Sequence, residues 1–266
     1  MLLLAFALAV VILFVVLRVL GNPVFALISV GATDAEIAAA AARLGVDRPI
    51  PEQFLAYLGQ LASFDLGRSF TNNLPVGDEI LRRLNVTLPL TLIAFTLSVL
   101  IAVPVGFIAA WKARTWYGTA FSAVSQLGGA VPVFWVGILL VAVFALNWRL
   151  LPAGGFPRRD WEDPGAALVS LTLPVLTIAL VAGSDLARYV RSATLDVLGQ
   201  QYLRAARATG QSFATAIWRH GVRNAVVPLI SILAIQLSTT FVGAVIIERV
   251  FALPGLGDML LVGIKE

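Results

Sequence analysis

The sequence predicts an all-α membrane protein. Hydrophobic residues make up 59% of the chain, charged residues make up 13%, and the mean hydropathy is +0.91. Soluble domains average about 45–50% apolar and about 25% charged residues, so this composition is typical of a chain that lies in lipid. Its apolar runs are predicted to be helices, because isolated strands would leave backbone polar groups without hydrogen-bond partners in a bilayer.

Five apolar runs have the roughly 20 residues that a helix needs to cross a bilayer. They are Leu2–Leu20, Asn85–Trp111, Thr119–Leu146, Ala166–Ser184 and Ala225–Ile247, and the last four contain no Asp, Glu, Lys or Arg. Prolines inside those four runs remove helical hydrogen bonds and favour kinks. These prolines are Pro89, Pro104, Pro132, Pro174 and Pro228. The kinks are either tolerated bends in a packed bundle or bends that shape a pathway.

Segment 21–84, between the first two runs, is too long to be a simple turn. Ala35–Leu44 is rich in Ala, follows a capping Thr33 and precedes Gly45, so it predicts a short helix with both ends marked. Gln53–Ala62 carries apolar residues on one helical face and predicts a second helix. We expect the two helices to form a small cap over the outer mouth of the bundle.

Charged residues between the runs indicate the orientation in the membrane. Segment 185–224 carries six arginines against two aspartates. Lys and Arg concentrate in short cytoplasmic segments, so we expect this segment to lie in the cytoplasm. Counting the runs back from it places the amino terminus in the cytoplasm as well.

Several kinds of chemistry are not predicted for this chain. It has no cysteine and a single histidine, His220, which argues against a disulfide framework or a metal site. Neither lysine, Lys112 or Lys265, stands in a Gly-rich phosphate-binding loop. The positive charge lies between apolar runs, as membrane topology requires, rather than in a nucleic-acid-binding patch. We therefore expect no catalytic residue, no metal and no cofactor on this chain, and no nucleic-acid partner.

The most informative stretch is Gln201–Pro228, between the last two runs. It begins with a predicted helix over Gln201–Thr209 that Gly210 ends, and Ser212 can cap a second helix. The first helix combines apolar contact from Tyr202 and Leu203, small alanines and basic charge. A helix of this kind suits docking into a groove of another protein, and the alternative is an amphipathic helix on the inner membrane surface. The candidate docking residues are Tyr202, Leu203, Arg204, Ala205, Ala206, Arg207 and Gly210.

The same stretch resembles the cytoplasmic "EAA" loop of bacterial ABC importer permeases. The shared features are Ala205-Ala206-x-x-x-Gly210, then Arg219-His220, then Asn224 and Pro228. The spacing from Gly210 to Pro228 is similar to that of the dipeptide/oligopeptide branch of these inner-membrane permeases. The chain departs from that branch with Gln201 in place of Asp, Ala205 in place of Thr and Thr209 in place of Lys.

Other stretches resemble the same branch, in the same order along the chain. Leu44–Pro49 and Asp65–Ser69 are similar to its outer loop, although Phe64 stands where Gly is usual. Val131–Trp135 resembles its Leu-Pro-Ser-Phe-Trp turn, and Gly243–Gly257 resembles the signature that follows its fifth span. The resemblance covers nearly the whole chain.

This resemblance implies the transmembrane domain of a type I ABC importer (MetI-like). Residues 1–84 would then hold the first transmembrane helix and an extracytoplasmic cap segment. Residues 85–266 would form the transmembrane core, with a cytoplasmic coupling loop at 185–224. The family has a sixth span after Pro-Gly-Leu-Gly, whereas five spans are present here, so we expect the sixth to follow Glu266 in a longer chain.

The resemblance also implies a function and a set of partners. The chain would be a permease subunit that moves di- or oligopeptides across the bacterial inner (plasma) membrane. Its partners would be a second, homologous permease, two ATP-binding-cassette ATPase subunits and an extracytoplasmic substrate-binding protein. ATP and Mg would lie on the ATPase subunits, so this chain would not itself be an enzyme. The candidate docking residues would contact one ATPase and couple its motion to transport.

Polar residues in otherwise apolar spans are the candidates for the translocation pathway, because such groups usually face the interior of a bundle. The alternative is that they form simple hydrogen bonds between helices. The candidates are Ser125, Gln126, Gln236, Thr239 and Thr240.

Other functions stay open at this point. Glutathione and nickel-chelate importers share the permease pattern, and nothing in the sequence separates their cargo from peptides. A secondary transporter or channel without an ATPase should show an internal repeat or an intramembrane charged relay, and we find neither. A structural membrane anchor would leave the pattern of the coupling loop unexplained.

Overall fold

The computed structural model describes residues 2–20, 33–69 and 74–265. Within these ranges the chain consists of helices and loops, apart from one isolated bridge between Arg68 and Pro75, which confirms the predicted all-α class. The chain divides into two compact units, Met1–Arg82 and Arg83–Lys265. The domain boundary predicted after residue 84 stays a prediction.

The first unit contains α1 (Leu2–Leu20), α2 (Asp34–Leu44) and α3 (Ile50–Ala62). Helix α2 confirms the predicted short helix, and Gly45 ends it in the left-handed conformation with φ +64°. At its start the Glu36 carboxylate accepts hydrogen bonds from the Thr33 backbone N–H at 2.8 Å and from the Thr33 hydroxyl at 2.9 Å. Because these bonds favour the ionised carboxylate, they lower the pKa of Glu36 from its ordinary value of 4.5.

Helix α3 begins three residues earlier than predicted, at Ile50. Pro51 stands in the first helical turn, where its missing N–H costs no hydrogen bond. The ring of Phe14 in α1 lies 5.1 Å from that of Phe54 and 5.7 Å from that of Tyr57, centroid to centroid. One side of α3 therefore packs on α1. Helix α1 is apolar and covers the first predicted span, Leu2–Leu20.

The rest of the chain contains eight further α-helices in the described ranges. They are α4 (Val76–Trp111), α5 (Trp116–Ala130), α6 (Val133–Leu140), α7 (Pro164–Leu198), α8 (Gln201–Ala208), α9 (Phe213–Ala216), α10 (Val222–Val250) and α11 (Leu256–Lys265).

Three helical segments of this described part are long and apolar enough to cross a membrane: Val76–Trp111, Pro164–Leu198 and Phe213–Val250. They confirm the second, fourth and fifth predicted spans and are longer than predicted. Helix α7 continues to Leu198, beyond the end of the apolar run at Ser184. Charged residues end the lipid-compatible part of a helix but do not interrupt its hydrogen bonds.

The third predicted span is two helices rather than one continuous helix. Helix α5 ends at Ala130, α6 starts after Pro132, and the two axes differ by 100°. Pro132 disfavours helical backbone at the preceding Val131, which is extended with φ −85° and ψ 131°. Helix α6 then runs into a π-helical stretch, Val141–Asn147. The bent pair supplies at most one membrane crossing.

Helix α7 packs against several helices of the second unit through small residues. A Cβ atom on Gly106 of α4 would lie 2.5 Å from the Ala187 carbonyl oxygen, and one on Gly128 of α5 would lie 2.2 Å from the Ser184 Oγ. Side chains at these glycines would therefore push the helices apart. Close approach through small residues is typical of helices packed within a membrane.

The end of α10 is fixed by a buried carboxylate. Glu248 is fully buried, and it accepts hydrogen bonds from the Thr87 hydroxyl at 2.5 Å and from the Gly257 N–H at 2.7 Å. Thr87 in turn accepts a hydrogen bond from the Leu256 N–H at 2.9 Å. A Cβ atom on Gly255 would lie 2.1 Å from the Glu248 carboxyl carbon. Parts of the Gly243–Gly257 signature therefore join α4, α10 and α11.

Candidate functional site

The stretch 201–228 begins with α8 and turns sharply at Gly210. Gly210 has φ +90°, a backbone conformation that glycine adopts readily and other residues rarely adopt. Its N–H donates to the Arg207 carbonyl at 3.0 Å, and the Gln211 N–H donates to the Ala206 carbonyl at 3.2 Å. These bonds satisfy the last carbonyls of α8, as glycine-based helix ends do. The prediction that Gly210 ends this helix is confirmed.

The chain then enters the next span through α9 and a π-helical stretch, Ile217–Gly221. Ser212 accepts a hydrogen bond from the Thr215 N–H at 3.2 Å, which confirms its predicted capping role. Helix α8 is therefore joined to α10 by a short, hydrogen-bonded connection.

One side of α8 is anchored in a small apolar core of its own chain. Leu203 is 5% exposed and packs with Ala216 and Ile217, and partly buried Val197 and Phe213 surround them. These residues belong to the end of α7, to α8 and to the start of the last span. The Leu203 side chain therefore packs within its own chain, and its contact with a partner stays a prediction.

The opposite side of α8 is open. Arg204, Ala205, Arg207 and Gly210 are exposed, while Tyr202 and Ala206 are half-buried. The exposed face is basic, and besides its arginines it carries the polar Gln201 and small side chains. This face can approach another protein closely and can pair with acidic groups on it.

Aromatic and basic side chains connect α8 to the end of α4. The ring of Trp111 stacks on that of Phe213, with centroids 5.8 Å apart and planes 19° apart. The Arg207 guanidinium carbon lies 5.7 Å from the Phe213 centroid, and the Lys112 Nζ lies 4.3 Å from the Trp111 centroid. Cations at these distances are attracted to ring faces. The end of a third long helix is therefore tied to the segment that presents α8.

Two cavities lie beside α7 and α10. The first, which we call the span cavity, has a volume of about 480 Å³ and is lined by residues of α6, α7 and α10. The second, the end cavity, has a volume of about 440 Å³ and reaches Tyr202 of α8. Tyr189 and Ile232 line both cavities. The two cavities therefore adjoin along the same pair of helices.

The structure brings together three of the five predicted pathway residues. Gln236, Thr239 and Thr240 all line the span cavity. Ser125 and Gln126 do not line either cavity: the Ser125 hydroxyl donates to the Phe121 carbonyl at 2.9 Å, and the Gln126 amide donates to Ser122 at 3.2 Å. These two residues make hydrogen bonds within their own helix.

Three polar residues of the span cavity were not among the sequence candidates. Asp185, Arg188 and Tyr189 line it from α7. They fall in the predicted loop 185–224, because hydropathy marks the apolar part of a helix and not its end. The signal that could have found them is the uninterrupted helix-compatible pattern from Ser184 to Leu198, which contains neither Gly nor Pro.

Metal ligands do not cluster in the part of the chain that the structure describes. No group of three or more His, Cys, Asp or Glu side chains is placed there to hold an ion.

Comparison with known proteins gives the family. Residues 102–266 match the family described as binding-protein-dependent transport system inner membrane component. The chain belongs to this family. Its members are membrane permeases of ABC importers, which in general work with ATPase subunits and a substrate-binding protein.

Individual relatives of this permease cover most of its length. A peptide transport system permease protein of Brucella abortus is 36% identical over 241 residues, which is 90% of this chain and 76% of the relative. A peptide permease protein of Brucella suis is 35% identical over 257 residues, 94% of this chain and 80% of the relative. The dipeptide transport system permease protein DppB of Escherichia coli is 30% identical over 242 residues, 83% of this chain and 71% of the relative.

Proposed function

We propose that this permease moves di- or oligopeptides across the bacterial inner membrane as one subunit of an ATP-driven importer. The names of the relatives from Brucella and Escherichia coli support peptide cargo. The observation that carries the coupling part of the proposal is the placement of α8. Its basic, small-residue face is exposed, while its other face is anchored at the ends of the long helices.

The chemistry of ATP lies on other chains in this scheme. The sequence has no Gly-rich phosphate-binding loop, so ATP and Mg would be bound by two ATP-binding-cassette subunits. This chain is then a transporter subunit and not an enzyme. A second, homologous permease pairs with it, and an extracytoplasmic substrate-binding protein delivers the cargo.

Helix α8 transmits the motion of one ATPase. Its exposed Arg204 and Arg207 pair with acidic groups in a groove on that subunit, and Ala205 lets the two surfaces approach closely. Because Leu203 and Phe213 join α8 to three long helices, displacement of α8 tilts those helices together. A rigid element with two arrangements can couple two sites. Helix α8 can therefore transmit the motion of the ATPase although this chain does not contact the nucleotide.

The amino terminus is cytoplasmic in this scheme. The six arginines of segment 185–224 support this orientation, because basic residues concentrate on the cytoplasmic side. Helix α8 then projects on the side where ATP is available. The opposite orientation would place it away from the ATPase subunits.

Cargo passes along the polar residues of the spans. Gln236, Thr239 and Thr240 support this role by lining the span cavity. Ser125 and Gln126 belong to the pathway only if the second permease brings another surface to α5. The second permease also completes the wall of the cavity.

The proposal is tested by reversing the charge of the exposed face of α8. The double variant Arg204→Glu/Arg207→Glu should lose co-purification of the ATPase subunits and ATP-driven uptake of a labelled dipeptide, while still inserting in the membrane. The matched control is Arg219→Glu/Arg223→Glu, which alters two exposed arginines of the same segment outside α8. Unchanged co-purification in the first variant would refute the docking role.

Two further experimental outcomes would replace part or all of the proposed function. Transport by this chain in liposomes without any ATPase would support a secondary transporter or channel instead. Uptake of glutathione or a nickel chelate, with no uptake of peptides, would support an ATP-driven importer with a different substrate.

A further inference from the structure

The span cavity contains charges of both signs. Asp185 and Arg188 lie one helical turn apart on α7, and their side chains pair at 2.5 Å. Their side chains are 32% and 48% exposed, so both remain accessible from the cavity. The pair lies just beyond the apolar run Ala166–Ser184, and charged groups at the end of a span beside a polar cavity can hold a charged solute.

The surroundings of this pair leave it free to exchange partners. A Cβ atom on Gly129 of α5 would lie 2.2 Å from the Asp185 Oδ1, so α5 backs the carboxylate closely and offers it no side chain. Within the described residues, Arg188 is the one hydrogen-bond partner of the Asp185 side chain. Partly exposed pairs of this spacing are weak, so a ligand with charges of its own can replace them.

Neutral polar groups in the same cavity can also contact a ligand. Across the described ranges, the side-chain amide of Gln236 and the hydroxyl of Tyr189 make no hydrogen bond. The hydroxyls of Thr239 and Thr240 donate to the Gln236 carbonyl at 3.0 and 2.7 Å, and their oxygens can still accept. Donors and acceptors that are open to a cavity beside a charged pair can orient a small polar ligand.

The size and the remaining wall of the cavity suit a small peptide. Its volume of about 480 Å³ lies within the range of roughly 300–1,000 Å³ that is usual for small-molecule sites. Apolar side chains, including Ile178, Val181 and Ile235, line the same space and can contact aliphatic side chains of a ligand.

We propose that the span cavity binds a small zwitterionic solute by its charged ends. Asp185 binds the cationic amino group, Arg188 binds the anionic carboxylate, and Gln236 and Tyr189 bind polar groups between them. This inference rests on the proposed peptide import and adds a solute site on the permease itself.

The test uses the absence of native cysteine in this chain. Thr239→Cys is introduced into the full importer complex, and the rate at which a charged maleimide labels this chain is measured in nanodiscs. Dialanine, N-acetyl-dialanine and dialanine amide serve as protecting probes. The matched reporter is Ser238→Cys, which is adjacent in sequence and does not line either cavity.

We expect dialanine to slow the labelling of Thr239→Cys and to leave that of Ser238→Cys unchanged. N-acetyl-dialanine and dialanine amide should each require about tenfold higher concentration, since each loses one charge-assisted hydrogen bond. Asp185→Asn should abolish the difference between dialanine and the N-acetylated probe. Arg188→Gln should abolish the difference between dialanine and the amide.

The matched charge controls are Asp196→Asn and Arg223→Gln, because neither residue lines the span cavity. In both variants the modified probes should still require about tenfold more than dialanine to protect Thr239→Cys. Equal protection by all three probes would overturn the proposal, as would differences that survive Asp185→Asn and Arg188→Gln. If either variant fails to fold, the three probes are compared on the protein that keeps both Asp185 and Arg188. Because the probes themselves lack one charge or the other, this comparison tests the same contacts.

ATP-driven uptake separates this proposal from the proposed function. Intact dipeptide uptake without protection of Thr239→Cys would refute the solute site and leave the import function standing. Protection without any peptide uptake would support the site and refute the function.

Discussion

Trp111 at the end of α4 stacks on Phe213 at the start of α9, with ring centroids 5.8 Å apart. Phe213 also packs against the core that buries Leu203 of α8. The stacked pair therefore gives α8 a contact with a long helix that precedes it by about 90 positions in the chain. In the proposed coupling, motion of α8 would reach α4 through this contact, since no covalent connection lies nearby.

Loss of this stack should uncouple the permease. Trp111→Ala removes an aromatic pair worth roughly 0.5–1.5 kcal/mol beyond its buried area. We expect ATP-driven dipeptide uptake to fall severalfold while ATPase activity of the complex persists, as measured side by side in proteoliposomes. Trp116→Ala is the control, because Trp116 is 81% exposed and lies outside the stack. Equal effects of the two variants would contradict the proposed transmission through Trp111.

Replacement of Gly210 should alter the turn that positions α8 and so reduce coupled transport. Gly210 has φ +90°, and an added Cβ would meet nothing within 4 Å, so the cost is backbone strain and not a clash. Left-handed backbone costs a residue with a side chain about 1–2 kcal/mol. Gly210→Val should therefore lower uptake strongly and Gly210→Ala more mildly, with insertion unchanged in both.

The control for Gly210 is Gly199→Ala. Gly199 follows α7 with φ −77°, and its added Cβ would approach no atom more closely than 3.5 Å. This variant should transport normally. Normal uptake by Gly210→Val would show that the turn does not position α8 for coupling.

Removal of the Glu248 carboxylate should destabilise the complex. Glu248→Ala leaves the buried Gly257 N–H and the Thr87 hydroxyl without their acceptor. Each buried donor that loses its acceptor costs about 1–3 kcal/mol, so we expect a clearly lower melting temperature. The melting temperature is measured by thermal unfolding of the detergent-solubilised complex. Glu162→Ala, at an exposed position in a surface turn, should melt like the unmodified protein.

The start of α2 should lose stability in acid. The Thr33 N–H lowers the pKa of Glu36 below 4.5, so its stabilising bonds are complete above that pH and are lost as pH falls through the lowered value. Hydrogen exchange of α2 amides, corrected for intrinsic rates, should show fraying in this acidic window. Glu36→Gln should abolish the pH dependence, and Glu52→Gln in α3 should leave it intact. Fraying that persists in Glu36→Gln would assign the effect to another group.

The helical and apolar segments were predictable from the amino-acid sequence. Runs such as Ala166–Ser184 are recognisable because a helix in lipid needs contiguous apolar residues. Helix ends at Gly45 and Gly210 and the cap at Ser212 were also predictable. Those signals depend on backbone preferences and hydrogen bonds within a few residues, which the local sequence contains.

The contacts between distant side chains became visible only in the folded chain. Folding turned Leu203 inward, and it placed Asp185 of α7 beside the same cavity as Gln236 of α10. It also joined Thr87 to Glu248 across 161 positions. Such contacts depend on how far each helix continues and on how it is rotated against its neighbours. Hydropathy reports neither quantity, because lipid and the interior of a bundle are both apolar.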